Sequence, residues 1–422
     1  MLIMLAIGLS AVLLRLEYVR VSDVPLESDM ADYFELARNV ANGQGYISPD
    51  GHRAYLPPGY PLFMALFFKL LIPTAQAVRY FQAVIGAASC LLAFHLARLL
   101  GQRLTRNSSN RLERNLMGLA APSAAGLAMA FYDTHIIYAG ILMTETLFTF
   151  LLLLWIVALV KAWGHPQVRW TAVAGFLLGI MILIRPTSIF YSPLLLLASL
   201  SLGRHWRHRL HALAMAVGLM AVVILPWTLR NTVAFKRVVL VSTNGGVSFY
   251  LGHNPHFDYS SGEKRAIRTA TDLDEIAENR MFYSVAWEYI RAHPGEDLRN
   301  SFTKLHHVYT MKIKPFPWDY SREFPTRDWR YPTLGWGLWL LISGGIGGVL
   351  CSLRDRRFVA LIGGVIGLHT LHCMILFGRT RFRVPMEPLF LISCALGVGL
   401  LAVYVLRATH RMPSTADAEE RP

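Results

Sequence analysis

Residues 170–202, WTAVAGFLLGIMILIRPTSIFYSPLLLLASLSL, decide the fold class of this chain. Two apolar runs flank the short break Arg185-Pro186-Thr187-Ser188, and similar runs recur along the 422 residues. Hydrophobic residues make up 54% of the sequence and charged residues only 16%, whereas about a quarter of a soluble protein is charged. Because unpaired backbone groups are too costly in hydrocarbon, apolar runs of this length span a bilayer as helices. The sequence therefore predicts an all-α polytopic membrane protein.

The apolar runs predict about ten transmembrane helices. They lie near residues 2–20, 77–99, 116–132, 141–162, 170–185, 187–202, 211–228, 333–352, 358–377 and 386–406. The chain then divides into a membrane domain with a long first outer loop, an outer loop cap, C-terminal transmembrane helices and a tail. Their bounds are 1–229 with the outer loop at 21–76, then 230–332, 333–406 and 407–422.

The basic residues predict the orientation of these helices, since short cytoplasmic loops collect Lys and Arg. Arginines cluster in the connections near 100–115 and 203–210, after the eighth span and after the last one. All four clusters lie on one side only if the break at 185–188 reverses the chain, as proline after Arg185 permits. A single kinked helix is the alternative, and it would invert every later loop. With the reversal, both termini are cytoplasmic, and 21–76, 230–332 and 378–385 face outward from a plasma (inner) membrane.

Composition also argues against several other classes of protein. The net charge of +14 is explained by orientation signals and by anionic membrane lipids, so it requires no nucleic acid partner. All four cysteines lie in or beside predicted spans, so no disulfide framework is expected. No tight cluster of carboxylate and histidine ligands is visible, so we expect no obligatory metal or other cofactor, although a divalent cation could still take part.

The first outer loop holds the leading candidate for catalysis. Ser28 is a suitable N-cap for a helix that starts at Asp29 and ends at Asn42-Gly43, and Tyr33 shares a face with Asp29. The segment Pro57-Pro58-Gly59-Tyr60-Pro61 follows, and then a short interfacial helix. Such a loop would hold Asp29 just above the bilayer. The alternative interpretation of Asp29 is a first-turn carboxylate that complements the helix dipole.

Further polar residues stand at the ends of later spans. Glu145 begins an apolar span, and an ionisable group there indicates function by default, with a buried ion pair as the alternative. Four arginines could bind phosphate, and for each the alternative is an interfacial or helix-end cation. They are Arg185, Arg230, Arg381 and Arg383. Asp32 and Asp133 compete with Asp29 and Glu145 for their roles, whereas His369 and His372 are interpreted as packing or interfacial residues.

In order along the chain, these motifs resemble the GT-C glycosyltransferases, and the likeness runs from about residue 25 to 400. The similar branch contains protein O-mannosyltransferases, the aminoarabinose transferase of lipid A and the lipopolysaccharide-core sugar transferases. The motifs are Asp29 with Tyr33, Gly43-Gln44-Gly45-Tyr46, Pro57-Pro58-Gly59-Tyr60-Pro61, Met143-Thr144-Glu145, Arg185-Pro186-Thr187, Pro226-Trp227 with Arg230-Asn231, Ser242-Thr243-Asn244, Gly252-His253-Asn254-Pro255 and Arg381-Phe382-Arg383-Val384-Pro385.

This resemblance implies transfer of a sugar from a polyprenyl-phosphate carrier to a lipid, glycan or protein acceptor in the cell envelope. Asp29 matches the family's catalytic aspartate, and with no nearby carboxylate nucleophile the simpler mechanism is direct displacement with inversion. The implied substrate-binding residues are Tyr33, Pro58, Tyr60, Glu145, Arg185, Arg230, Asn231, Asn244, Arg381 and Arg383. Met30 and Leu56 replace an acid and a lysine of the aminoarabinose and mannosyl transferases, which favours the core-sugar branch.

One alternative function remains open at this stage. A transporter or flippase of a lipid-linked sugar would also place acids and arginines at membrane depth, although it often shows repeated halves and broken midplane helices.

In the outer loop, Thr271 and Asp274 predict a capped helix over about 272–292 that stops at His293-Pro294-Gly295, followed by a second helix to Met311.

Overall fold

The computed structural model describes residues 1–22, 24–164, 167–201, 205–255, 273–309 and 337–408, and every regular element within these ranges is helical. The first half of the chain forms α1 (Leu2–Val21), α2 (Asp29–Ala41), α3 (Gly59–Leu70), α4 (Ala75–Leu104), α5 (Arg111–Asn115), α6 (Ala121–Ala130), α7 (Asp133–Gly140), α8 (Glu145–Gly164), α9 (Val168–Ile184) and α10 (Ser192–Leu200). The second half forms α11 (Trp206–Phe235), α12 (Gly245–Gly252), α13 (Glu275–Ala292), α14 (Pro294–Tyr309), α15 (Gly337–Arg354), α16 (Arg356–Phe358), α17 (Gly364–Ile375), α18 (Thr380–Arg383) and α19 (Glu387–Ala408).

Several helices are long and apolar enough to cross a membrane. Within the described ranges, six stretches meet both conditions, namely Leu2–Val21, Ala75–Leu104, Glu145–Trp163, Trp206–Phe235, Arg356–Ile375 and Thr380–Ala408. Four shorter apolar helices are Gly59–Leu70, Val168–Ile184, Pro186–Leu200 and Trp339–Arg354. The predicted span near 116–132 is a helix in three segments, with a π-helical turn at Leu116–Ala120 between α5 and α6. The all-helical class with multiple candidate spans is therefore confirmed for the described residues, and the number ten stays a prediction.

The helices approach one another closely at glycine residues. Helix α8 lies at the centre, and its Trp155, Leu152 and Ile156 are fully buried. A Cβ on Gly175 of α9 would lie 2.1 Å from the Ala216 carbonyl oxygen of α11, and a Cβ on Gly397 of α19 would lie 2.4 Å from a Cα atom of α15. Helices in lipid associate through such close backbone contacts, because hydrophobic burial gives no preference between lipid and protein.

The predicted break at Arg185 is present. Helix α9 ends at Ile184, Arg185 has an extended backbone, and a 3-10 turn over Pro186–Tyr191 leads into α10. The chain reversal at this point stays a prediction. Helix α11 differs from its prediction, because it continues past residue 228 to Phe235 and ends only where Lys236 adopts a left-handed conformation with φ 53°.

The segment predicted as the first outer loop, residues 21–76, contains the two predicted short helices, α2 and α3, which pack against each other. Helix α2 begins at Asp29 and ends before Asn42-Gly43, where Gly43 has a φ of 76°. Ser28 occupies the predicted N-cap position, but the prediction that it caps the helix is wrong. Its backbone has a φ of 50° and its hydroxyl makes no capping hydrogen bond. The first turn of α2 instead carries two carboxylates, Asp29 and Asp32, which complement the helix dipole.

The segment predicted as an outer loop cap, residues 230–332, contains the two predicted helices, α13 and α14. Asp274 caps α13, since its carboxylate accepts hydrogen bonds from the amides of Ile276 and Ala277. A carboxylate at the N-cap serves this role directly, so no capping box is required. Thr271 lies outside the described residues, as does Met311, the predicted end of the second helix. The stop at His293 is confirmed.

Candidate active site

Asp29 and Arg381 lie together although 352 positions separate them. Asp29 begins α2, Arg381 lies in α18, and Arg381 Nη1 donates a hydrogen bond of 3.2 Å to Asp29 Oδ2. Both side chains keep partial exposure, 29% for Asp29 and 14% for Arg381. A partly exposed carboxylate beside a guanidinium combines a proton acceptor with a cation that matches phosphate geometry.

Arg185 and Glu145 form a second ion pair in the same region. Arg185 Nη2 lies 2.7 Å from Glu145 Oε1, and Arg185 Nε donates to Thr144 Oγ1 at 2.8 Å. Glu145 is only 1% exposed, so its charge requires a close partner. The structure thus contains the buried ion pair that the sequence analysis gave as the alternative for Glu145, and a functional role for Glu145 stays a prediction.

Aromatic rings join the two pairs into one cluster. The Phe382 ring centre lies 5.3 Å from the Arg381 guanidinium carbon and 5.9 Å from that of Arg185. Burial raises the pKa of the Tyr33 phenol, and both ion pairs act on it electrostatically, with Asp29 as the largest charge contribution. The cluster holds two carboxylates and two guanidinium groups around a neutral phenol, so its charges balance before any ligand binds.

The segment Pro57-Pro58-Gly59-Tyr60-Pro61, called the proline loop, lies beside this cluster and is held in place by hydrogen bonds. Tyr60 packs edge to face on Tyr33 with ring centres 5.2 Å apart, and its hydroxyl donates to Gln82 Oε1 at 2.6 Å. The hydroxyl of Tyr46 donates to the carbonyl oxygens of Leu56 and Pro57. Pro58 then precedes α3 directly. These hydrogen bonds are buried, and they fix the loop against the membrane helices.

Gly59 allows the proline loop to contact the end of α9. A Cβ at this position would lie 2.8 Å from the amide nitrogen of Ile184 and 2.6 Å from its side chain. Real Cβ atoms do not approach backbone this closely, so a larger residue would push the loop away from Arg185, the next residue along. Sequence alone could not assign this role to Gly59.

Arg230, Asn231 and Asn244 were predicted as substrate-binding residues, and their contacts form a separate cluster. Arg230 donates to the carbonyl oxygens of Arg53 at 2.6 Å and Tyr46 at 3.0 Å, and Asn231 donates to those of Val239 and Val241. Asn244 accepts a hydrogen bond from Ser242 and lies directly before α12, where its side chain makes no capping hydrogen bond. These side chains tie the first outer loop to the exit of α11, so the structure does not bring them to Asp29.

Arg381 and Arg383 have different surroundings, although sequence could not separate them. Arg383 is fully buried, and its Nε lies 2.9 Å from Glu387 Oε1 one turn along the helix. Its Nη1 also donates to the Val308 carbonyl oxygen at 3.4 Å. Arg383 therefore has a structural partner in the protein interior, and Arg381 is the arginine that faces Asp29.

His369 supports the turn that carries Arg381, a role that sequence analysis missed. Its Nε2 donates to the Phe382 carbonyl oxygen at 2.8 Å, which leaves Nδ1 to accept the Tyr191 hydroxyl at 2.8 Å. The imidazole is thus held as one neutral tautomer that bridges α17 to the turn. The available signal was its place inside an apolar span, where an ionisable group indicates a specific role.

One group of described residues has spacing that could suit a metal ion. His369, His372 and Cys373 place one ligand atom each within 4.8 Å of one another. Both nitrogens of His369 are already bonded, to Tyr191 and to Phe382. The prediction of no catalytic metal therefore stays a prediction, although this histidine and cysteine cluster was not anticipated.

Three side chains fasten the outer loop cap to the end of α17, just before the Arg381 turn. Lys304 donates to the Met374 carbonyl oxygen at 2.9 Å, and His253 Nε2 lies 2.7 Å from that of Ile375. The other ring nitrogen of His253 lies 2.6 Å from Asp297 Oδ1. Lys304 is fully buried, and desolvation lowers the pKa of its amine to about 8.

Comparison with known proteins places this cluster in context. The family model for dolichyl-phosphate-mannose-protein mannosyltransferase matches residues 111–227. That match confirms the resemblance to GT-C glycosyltransferases. It includes Glu145 and Arg185, and it agrees with the expectation that no cofactor is obligatory.

The crystal structure of ArnT from Cupriavidus metallidurans bound to undecaprenyl phosphate aligns with 97% of this chain and 79% of its own, at 14% sequence identity and a TM-score of 0.43. No curated protein sequence matches the chain significantly.

Proposed function

We propose that the chain transfers a sugar from a polyprenyl-phosphate carrier to a lipid, glycan or protein acceptor. The observation that carries the proposal is the 3.2 Å contact between Asp29 and Arg381, which pairs a partly exposed base with a phosphate-binding group. The family match over 111–227 and the ordered motifs support the same class of reaction. We further propose that both termini are cytoplasmic and that the site faces outward from the inner membrane, in line with the distribution of arginines.

In the proposed mechanism, donor binding separates the Asp29–Arg381 pair. The phosphate of the carrier accepts hydrogen bonds from the Arg381 guanidinium, and Asp29 is released to act as a base. Asp29 then removes the proton from the acceptor hydroxyl, and the acceptor oxygen attacks the anomeric carbon from the face opposite the phosphate. The bond between the anomeric carbon and the phosphate oxygen breaks, and its electron pair leaves with the polyprenyl phosphate. A single displacement of this kind inverts the anomeric configuration.

Arg185 has a supporting role in this mechanism. Glu145 and Thr144 hold its guanidinium in a fixed orientation, so little reorganisation is required when negative charge develops on the leaving phosphate. Phe382 contacts both guanidinium groups and keeps them on one side of the site. The leaving group is already stable as an anion, so the site needs cations and no general acid.

The experiment is sugar transfer by purified protein in detergent with a panel of polyprenyl-phosphate monosaccharides and mixed envelope acceptors. Asp29→Asn should abolish transfer without a change in thermal stability, and Asp32→Asn is the matched control. Asp32 lies one turn along α2, where burial and the Asp29 charge raise the pKa of its carboxyl. Loss of transfer in the Asp32 variant alone would refute the assignment of the base. Movement of an intact lipid-linked sugar across vesicles, with no transfer, would favour a transporter.

A further inference from the structure

A polar cavity of about 620 Å³ lies far from the candidate active site. It is bounded by the C-terminal ends of α4, α15 and α19 and by α16, and five arginines line it together with Asp355. These arginines are Arg103, Arg106, Arg354, Arg357 and Arg407. Arg407 stands at the opposite end of α19 from the Arg381 turn, about 30 Å along the helix. The proposed transfer reaction makes no use of this cavity.

Two of the arginines are held in place by a buried acid. Glu113 is fully buried, and its carboxylate pairs with Arg354 at 2.5 Å and with Arg407. Ser108 donates to the same carboxylate at 2.7 Å, and Arg354 Nε donates to the Leu104 carbonyl oxygen at 3.2 Å. The part of the cavity wall formed by Arg354 and Arg407 is therefore fixed by the protein before any ligand binds.

The remaining arginines leave positive charge unbalanced. Arg103 lies 3.5 Å from Asp355. For Arg106 and Arg357, no acidic partner occurs among the residues that the structure describes, and both act on Arg103 as like charges. Five arginines face two carboxylates, Asp355 and Glu113, so the cavity carries a surplus of three positive charges. Like charges held this close are unfavourable unless an anion joins them.

We propose that this cavity binds the headgroup of an anionic membrane lipid that carries two phosphates. A guanidinium group can donate two parallel hydrogen bonds to the oxygens of one phosphate. The arginines of this cavity come from separate segments of the chain, so they can contact two phosphates from different sides. The cavity lies where three apolar helices end, which is the depth of lipid phosphates, and basic pockets between transmembrane helices suit such headgroups. A soluble diphosphate shares this chemistry but lacks acyl chains that would hold it at the helix ends.

The test is native mass spectrometry and thermal unfolding of the full chain with added diphosphatidylglycerol. Arg106→Gln with Arg357→Gln should weaken lipid binding roughly tenfold for each arginine removed, since each charge-assisted hydrogen bond contributes about that factor. The matched control is Arg111→Gln with Arg356→Gln, two exposed arginines on the same segments that do not line the cavity. The control should retain lipid binding, and wild type should gain thermal stability only from the lipid with two phosphates.

Three outcomes would overturn the proposal. Equal loss in the control variant would show general attraction between a basic surface and acidic lipid. Equal protection by inorganic pyrophosphate at the same concentration would assign the cavity to a soluble anion. The third concerns the tail residues Asp417, Glu419 and Glu420. If wild type binds no lipid and replacement of these acids by amides restores binding, the chain's own tail is the occupant.

Discussion

Arg381 and Arg383 stand two residues apart, and the structure predicts opposite consequences when each is replaced. Arg381→Gln removes the phosphate-binding group, and loss of one such donor typically lowers kcat by about 10²–10³. The pair it forms with Asp29 is partly exposed, so its loss should cost only about 1 kcal/mol of stability. Arg383→Gln leaves Glu387, which is fully buried, without its partner. A broken buried pair costs about 3–5 kcal/mol, a large part of a typical free energy of unfolding.

The assay measures transfer rate and thermal unfolding on the same purified samples. Arg381→Gln should unfold near the wild-type temperature with little transfer, and Arg383→Gln should unfold at a markedly lower temperature. Arg383→Met combined with Glu387→Leu removes both charges, so it should recover most of the lost stability. A stable Arg383→Gln variant without activity, or an active Arg381→Gln variant, would refute the assignment of these two arginines.

Three further predictions concern residues that support the site. Gly59→Ala should displace the proline loop from Ile184 and lower both stability and transfer. Gly295→Ala, at a helical position where a Cβ would meet no atom within 4 Å, should lower neither, and equal losses in the two variants would contradict the role of the close contact. His369→Gln should raise KM for the lipid donor more than it lowers thermal stability, because it loosens the Phe382 turn; an unchanged KM would contradict this role. The pKa of Lys304 is lower in the folded than in the unfolded chain, so the unfolded chain binds more protons between about pH 8 and 10.5. The stability of wild type relative to Lys304→Met should therefore increase as the pH rises through that window. A stability difference that does not depend on pH would contradict this prediction.

The fold class could be predicted from sequence because lipid imposes one dominant constraint. Apolar runs and the proline after Arg185 gave the helices and the break between α9 and α10, and the glycine at 43 gave the end of α2. The capping residues were harder to predict, since several polar side chains near a helix start can satisfy the same amides. Ser28 and Thr271 were chosen by residue type alone, and local backbone conformation decided otherwise at Ser28.

The candidate site was predictable only in part. Residue type and order made Asp29, Glu145 and the four arginines candidates, because charged groups at membrane depth are costly without a purpose, and their roles stay predictions. Contacts between distant segments could not be predicted, since nothing local to Arg230 indicates that it bonds to the loop at residues 46–53. For the same reason, the difference between Arg381 and Arg383 required the structure.

The most direct test of the central claim compares wild type with Asp29→Asn in two measurements on one preparation, namely sugar transfer and binding of polyprenyl phosphate. The variant should bind the lipid phosphate at least as tightly as wild type, because Arg381 no longer pairs with a carboxylate, and it should transfer no sugar. Transfer at the wild-type rate by Asp29→Asn would contradict the claim that Asp29 is the base. Loss of lipid binding in that variant would contradict the claim that Arg381 exchanges Asp29 for the donor phosphate.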